Sequence, residues 1–85
     1  MTEDELFYML GSIERSIVEM KEYYQIAELG IFLSSSDKED LIKAINTSFT
    51  VKTNDIEYLF NTKVYWINII ESGNYYIAPK SNFFM

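Results

Sequence analysis

Leu6, Leu10, Ile13, Ile17, Met20, Tyr24, Ala27 and Ile31 recur at alternating steps of four and three. That spacing keeps one apolar seam along one side of an α-helix. Thr2 and Glu5 stand at capping-box spacing, with Glu3 and Asp4 where the positive end of a helix dipole favours carboxylates. The pattern predicts a helix from Glu3 to near Leu29, which Gly30 would end in a left-handed conformation with Ile31 folded back onto Ile26. Gly11 lies inside the run and costs up to about 1 kcal/mol relative to Ala, tolerable where another backbone or a bulky ring packs closely. Met9 and Tyr23 flank one edge of the seam and Phe7 the other, while Val18, Ile26 and Leu29 fall outside it. A helix apolar on more than one stripe is expected to pack on its own domain along one face and on a second copy or another protein along another.

Downstream the period changes. Ile31, Phe32 and Leu33 form a short strand-like link, and residues 34–36 are a polar break. Ser36 with Glu39 repeats the capping spacing, Leu41, Ile42 and Ile45 give the next helix a buried face with Lys43 outward, and Asn46 and Thr47 end it. Residues 49–52 have strand composition, and Asn54 with Glu57 opens a third helix over residues 54–62. Residues 64–70 are dense in β-branched and aromatic side chains, and Gly73 within residues 71–74 can turn them into Tyr75, Tyr76 and Ile77, a hairpin that Pro79 ends. The competing pattern is a single helix over residues 55–72, uniting Ile56, Leu59, Phe60, Val64, Ile67 and Ile70 and giving an all-α bundle. Lys63 would then fall inside that apolar face, which favours the hairpin. Phe83, Phe84 and Met85 are expected to dock on the core. The fold class expected is α+β: one domain over residues 1–85, with a long N-terminal helix, two shorter helices and a C-terminal β-hairpin.

Composition narrows what such a domain can do. A chain of 85 residues buries a small share of its surface, and its seven Tyr, six Phe and one Trp supply core volume that length does not. There is no Cys and no His, which removes disulfides, thiolate metal sites and the commonest general base. Met1, Thr2, Glu3, Asp4 and Glu5 offer no charged and then apolar leader, and no apolar run approaches membrane length, so a cytoplasmic protein without membrane contact is expected. The formal charge of −6 is uneven, with seven acids against two bases in residues 1–36 and six against five in the remainder. Such a field repels phosphate backbones and attracts basic surfaces. The abundance of Lys over the single Arg, with plentiful Ile, Asn and Tyr, points to an AT-rich bacterial, phage or archaeal genome.

Chemistry-bearing clusters are sparse. Glu3, Asp4 and Glu5, and again Asp37, Glu39 and Asp40, are read as helix-start charge rather than as metal sites, because neither has a calcium-loop pattern. No glycine-rich phosphate loop is present, and Lys63 and the tyrosines have no adjacent activating partner in sequence. No cofactor, no metal and no catalytic residue are expected. The order of elements over residues 31–80 resembles a winged helix-turn-helix regulator, with Tyr75, Tyr76, Ile77, Ala78, Pro79 and Lys80 similar in kind to the last wing strand. That resemblance implies that residues 54–62 enter a DNA major groove. Their Asp55 and Glu57, beside only Lys63, oppose phosphate approach unless Lys52, Lys63 and Lys80 gather on one face. DNA-binding regulation is therefore the alternative. The expected function is that of a small acidic protein-binding factor, of the inhibitor, immunity, antitoxin or phage anti-defence kind, as a homodimer. Glu14, Glu19, Glu22 and Glu28 with Tyr65, Trp66 and Tyr75 would face a basic partner protein, while Leu6, Leu10, Ile13, Ile17, Met20 and Tyr24 would form the core or dimer seam.

Overall fold

The computed structural model describes residues 1–25, 28–50 and 52–79. Helix α1 spans Glu3–Tyr24 and starts as the Thr2 and Glu5 spacing predicts. The Thr2 hydroxyl accepts the Glu5 N–H at 3.2 Å, and Glu5 Oε1 accepts the Thr2 N–H at 3.0 Å. At the other end α1 stops short of the predicted boundary near Leu29, because Gln25 takes a left-handed conformation (φ 50°). Leu29 opens strand β1, Leu29–Ser34, and Gly30 pairs within it rather than ending a helix. The expected fold-back onto Ile26, the seam position Ala27, the Tyr24 side chain and the expected docking of Phe83, Phe84 and Met85 lie outside what is described. A strand in the middle of a sheet saturates both of its hydrogen-bonding edges, and the uncharged run of β1 takes that place instead of extending the helix.

A 3-10 turn, Ser35–Asp37, leads into α2, Lys38–Phe49. The predicted cap at Ser36 does not form; the Ser34 hydroxyl accepts the Ser36 N–H instead, which starts the chain turning earlier. Asn46 does not end α2. It sits inside the helix and pairs through its amide with the backbone N–H and C=O of Thr53, at 2.9 and 3.0 Å. The strand expected over residues 49–52 is absent among its described members, since Phe49 is the last residue of α2 and Thr50 is left-handed. Residues 54–62 form no helix. Asp55 Oδ1 accepts the Ile56 N–H at 2.8 Å, the Glu57 C=O accepts the Val64 N–H at 2.8 Å, and Phe60 and Asn61 both have positive φ (51° and 59°). Those backbone groups are committed to a loop and a tight reversal before a helix can form.

The reversal joins β2, Tyr58–Leu59, to β3, Thr62–Ile67, and β4 follows as Tyr75–Pro79. The sheet has the order β2-β3-β1-β4, with β1 parallel to β3 and antiparallel to β4. Of the strand predicted over residues 64–70 only 64–67 form one, because the chain turns at Asn68, while 75–77 are a strand as predicted; the two do not form a hairpin with one another. Strand β1 lies between them, and the tight hairpin of the fold is β2 with β3. Residues 68–74 are long enough to pass the end of β1, whereas direct pairing is made by turns of two to five residues. The architecture is α+β, neither an all-α bundle nor three helices before a hairpin.

Leu29, Ile31 and Leu33 alternate along β1 and join Val64, Leu6, Met9, Leu10, Ile13, Ile17, Leu41, Ala44 and Ile56 in one buried cluster. The seam residues Leu6, Leu10, Ile13 and Ile17 are thus consumed by this chain's own core, with Met20 packed at its margin. Phe32 points to the other face of the sheet, where its ring stacks on Tyr65 at 5.2 Å. Among the described residues nothing beyond the adjoining residues and the helix's own backbone lies within 4 Å of the Cβ position that an Ala at Gly11 would occupy. The close neighbour expected to offset this glycine is absent among the described residues. Gly11→Ala is therefore predicted to raise stability by about 0.5–1 kcal/mol, seen as an increase of several degrees in melting temperature.

Candidate functional site: the trough between helix α1 and edge strand β4

Strand β4 is the last strand on its side of the sheet. Its five residues, Tyr-Tyr-Ile-Ala-Pro, carry no charge. The flank of α1 that rises beside it leaves two hollows, each of about 440 Å³, that share Tyr75. The first is lined by Met1, Asp4, Glu5, Tyr8, Met9, Ser12, Gly73 and Tyr75. The second is lined by Ser16, Glu19, Met20, Tyr23, Tyr75, Tyr76 and Ile77. Together they make a trough that follows the helix for most of its length. Its walls are aromatic and methionine-bearing, a surface able to accept apolar side chains of varied shape.

The rim is acidic. Asp4 and Glu19 line the hollows, and Glu14 and Glu22 are exposed on the same helix; among the described residues none of these four is in an ion pair. Glu5 is held differently. Its carboxyl lies below the usual range because the Thr2 backbone N–H donates to it, followed by the Thr2 side chain. Tyr8 and Tyr23 are each 80 % exposed, unusually wet for rings of that size.

Glu14, Glu19 and Glu22 are all exposed on α1, but Glu28 is not on that helix: it stands in the link to β1. Trp66 and Tyr75 pack against the core from the helix-bearing side, and Trp66 is fixed twice. Its indole N–H donates to the Ile56 C=O at 3.1 Å, and Lys38 Nζ sits 5.7 Å from its ring centre. Tyr65 is on the opposite face, stacked on Phe32. The three rings expected to act together are therefore split between two faces. Tyr75 alone borders the trough.

The carboxylate clusters resolve into separate structural tasks. Glu3 accepts the Ser48 hydroxyl at 2.9 Å, and Asp40 faces the N-terminal amine at 3.7 Å. Asp37 accepts hydrogen bonds from the Ser72 hydroxyl and the Gly73 N–H. Asp55 pairs with Lys38 at 2.9 Å, and its carboxyl lies below the usual range through that bond and then the Ile56 N–H. Lys63 Nζ stands over the Tyr58 ring at 5.3 Å. Among the described residues no three acidic side chains converge on a common point, and no helix is long and apolar enough to cross a membrane. Comparison with family models, with curated proteins and with solved structures finds no match to this chain.

Tyr8 is the residue that sequence reasoning passed over. Its signal was available: Asp4, Tyr8, Gly11, Arg15, Val18 and Glu22 repeat the same four-three spacing on the side of α1 opposite the buried seam. The exposure of Tyr76 follows from its register opposite Phe32, on the face of the sheet away from α1.

Proposed function

We propose that this chain is a binding factor that acts by occupying the basic surface of a partner protein, as an inhibitor or an immunity-type protein does. The observation that carries the reading is the pairing, along one trough, of exposed rings with unpaired carboxylates: Tyr8 and Tyr23 beside Asp4 and Glu19. Exposed tyrosines supply large contact area at low entropy cost, and desolvated at an interface they are frequent anchors. The carboxylates steer a cationic surface toward them. DNA-binding regulation has no comparable support. Residues 54–62 form no recognition helix, and Lys63 is occupied by Tyr58.

The test is the triple substitution Glu14→Gln, Glu19→Gln and Glu22→Gln, which moves the formal charge from −6 to −3 and touches no buried residue. Its melting temperature is expected to stay close to wild type. Retention of a basic partner from a cell extract on immobilised protein is expected at low salt, to weaken at high salt, and to fall sharply in the variant. Equal retention by both proteins, or none at low salt, would overturn the proposal.

A further inference from the structure

We infer that the partner contributes an extended, basic segment that adds to the sheet as a fifth strand along the free edge of β4. This rests on the contact function proposed above and specifies its mode. A strand hydrogen-bonds on two sides, and β4 is satisfied only by β1, from Leu29 opposite Pro79 to Leu33 opposite Tyr75. Its far side has no backbone partner among the described residues. Sheet edges are ordinarily guarded by a charge, a bulge, brevity or a covering element. The opposite edge is guarded in this way, since β2 has only two residues. Among the described residues the β4 edge has none of these along Tyr75–Ala78, and Pro79 stands at its end.

An added strand alternates its side chains between the two faces of the sheet. On the helix-bearing face, alternate side chains would descend into the hollow lined by Met20, Tyr23, Tyr75 and Ile77, with Glu19 at its rim. Apolar side chains suit the hollow and a lysine or arginine suits Glu19. Charge also decides against a second copy in this place. Two β4 strands paired antiparallel about a two-fold axis would bring both α1 helices to the same side of the joined sheet, with a Glu19 carboxylate from each at the rim beside the new pairing. Like charges so placed oppose pairing, whereas a basic strand is attracted.

The probes are a short acetylated peptide of alternating lysine and valine, the same peptide with alternate backbone amides N-methylated, and a glutamate–valine peptide, each added to the full chain. The expected result is slowed amide exchange within Tyr75–Ala78 with the lysine–valine peptide alone, and affinity at least about tenfold lower for the N-methylated form, which keeps the charges but loses backbone donors. Glu19→Lys is expected to weaken the lysine–valine peptide further. Equal binding of the first two peptides, with perturbations at Glu14 and Glu22 but none in β4, would overturn strand addition while leaving the acidic contact surface standing. Failure of every peptide while a folded basic protein is still retained would do the same. Concentration-dependent protection of β4 without peptide, with dimers in sedimentation, would overturn it in favour of a second copy.

Discussion

Ile13→Ala is expected to destabilise the protein by about 3 kcal/mol. Ile13 is 0 % exposed and lies in the middle of the α1 seam, within the cluster formed by both helices, β1 and β3. Truncation removes three side-chain carbons from water-free surroundings and leaves a cavity that neighbours on four different elements cannot all move to fill. The better helix propensity of Ala returns only about half a kcal/mol. A chain of this length commonly has a total stability of about 4 to 13 kcal/mol, so the loss is a large fraction of it. Trp66 is the single tryptophan and is tied to the Ile56 carbonyl, so its fluorescence reports on docking of the loop before β2. Urea melts followed by Trp66 emission and by helical circular dichroism should shift together to a lower midpoint, with an unchanged slope. Val18→Ala, about half exposed on the outer side of the same helix, should shift the midpoint by an amount equivalent to less than about 0.5 kcal/mol. Equal effects of the two substitutions would show that the buried phase of α1 is misassigned.

That contrast between Ile13 and Val18 was legible in the sequence, because helical phase is a local property repeated over several turns. The capping of α1 by Thr2 and Glu5 was legible for the same reason. The strand-forming segments at residues 31–33 and 75–77 were legible from their side chains, as was the first part of the run 64–70, which leaves the sheet after Ile67. Their order in the sheet was not. Nothing local in residues 68–74 says whether β4 returns beside β3 or passes over β1, and the choice is made by the apolar run of β1 taking a position with neighbours on both sides. The false third helix has a related cause. Ile56, Leu59 and Phe60 fit a helical face, but Phe60 and Asn61 both take left-handed backbone to make a reversal that no glycine announces. The trough was half legible. Its acidic wall was read from α1 directly, while its other wall exists only because β4 is an edge, a consequence of pairing order rather than of any one residue.

Asp37→Ala is expected to cost about 2–3 kcal/mol and to disturb β4 more than any other strand. Asp37 is 2 % exposed at the start of α2, yet its carboxylate does not cap that helix. Instead one oxygen accepts the Ser72 hydroxyl and the other accepts the Gly73 N–H at 2.8 Å, across 36 residues of chain. Gly73 has φ 87°, so the loop turns there and the next residues lead into Tyr75 and β4. Removing the carboxylate leaves the Gly73 N–H without its acceptor and the loop without its tie to the helices. Asp37→Asn separates hydrogen bonding from shape. Its amide oxygen can take the Gly73 N–H while its NH₂ donates to the Ser72 oxygen, because a hydroxyl accepts as readily as it donates. The cost should then be near 1 kcal/mol, the difference between a carboxylate and a neutral acceptor. Ser72→Ala should weaken wild type more than it weakens Asp37→Ala, since the acceptor is already gone in the latter, a coupling that a double-mutant cycle in urea measures directly. Amide exchange locates the damage. In Asp37→Ala the amides of Tyr75–Ala78 should exchange faster while those of β3 keep their protection, because β3 is held on one side by β1 and on the other by β2. If all strands lose protection together, Asp37 stabilises the whole fold, and the edge that the proposed partner strand requires does not depend on this tie.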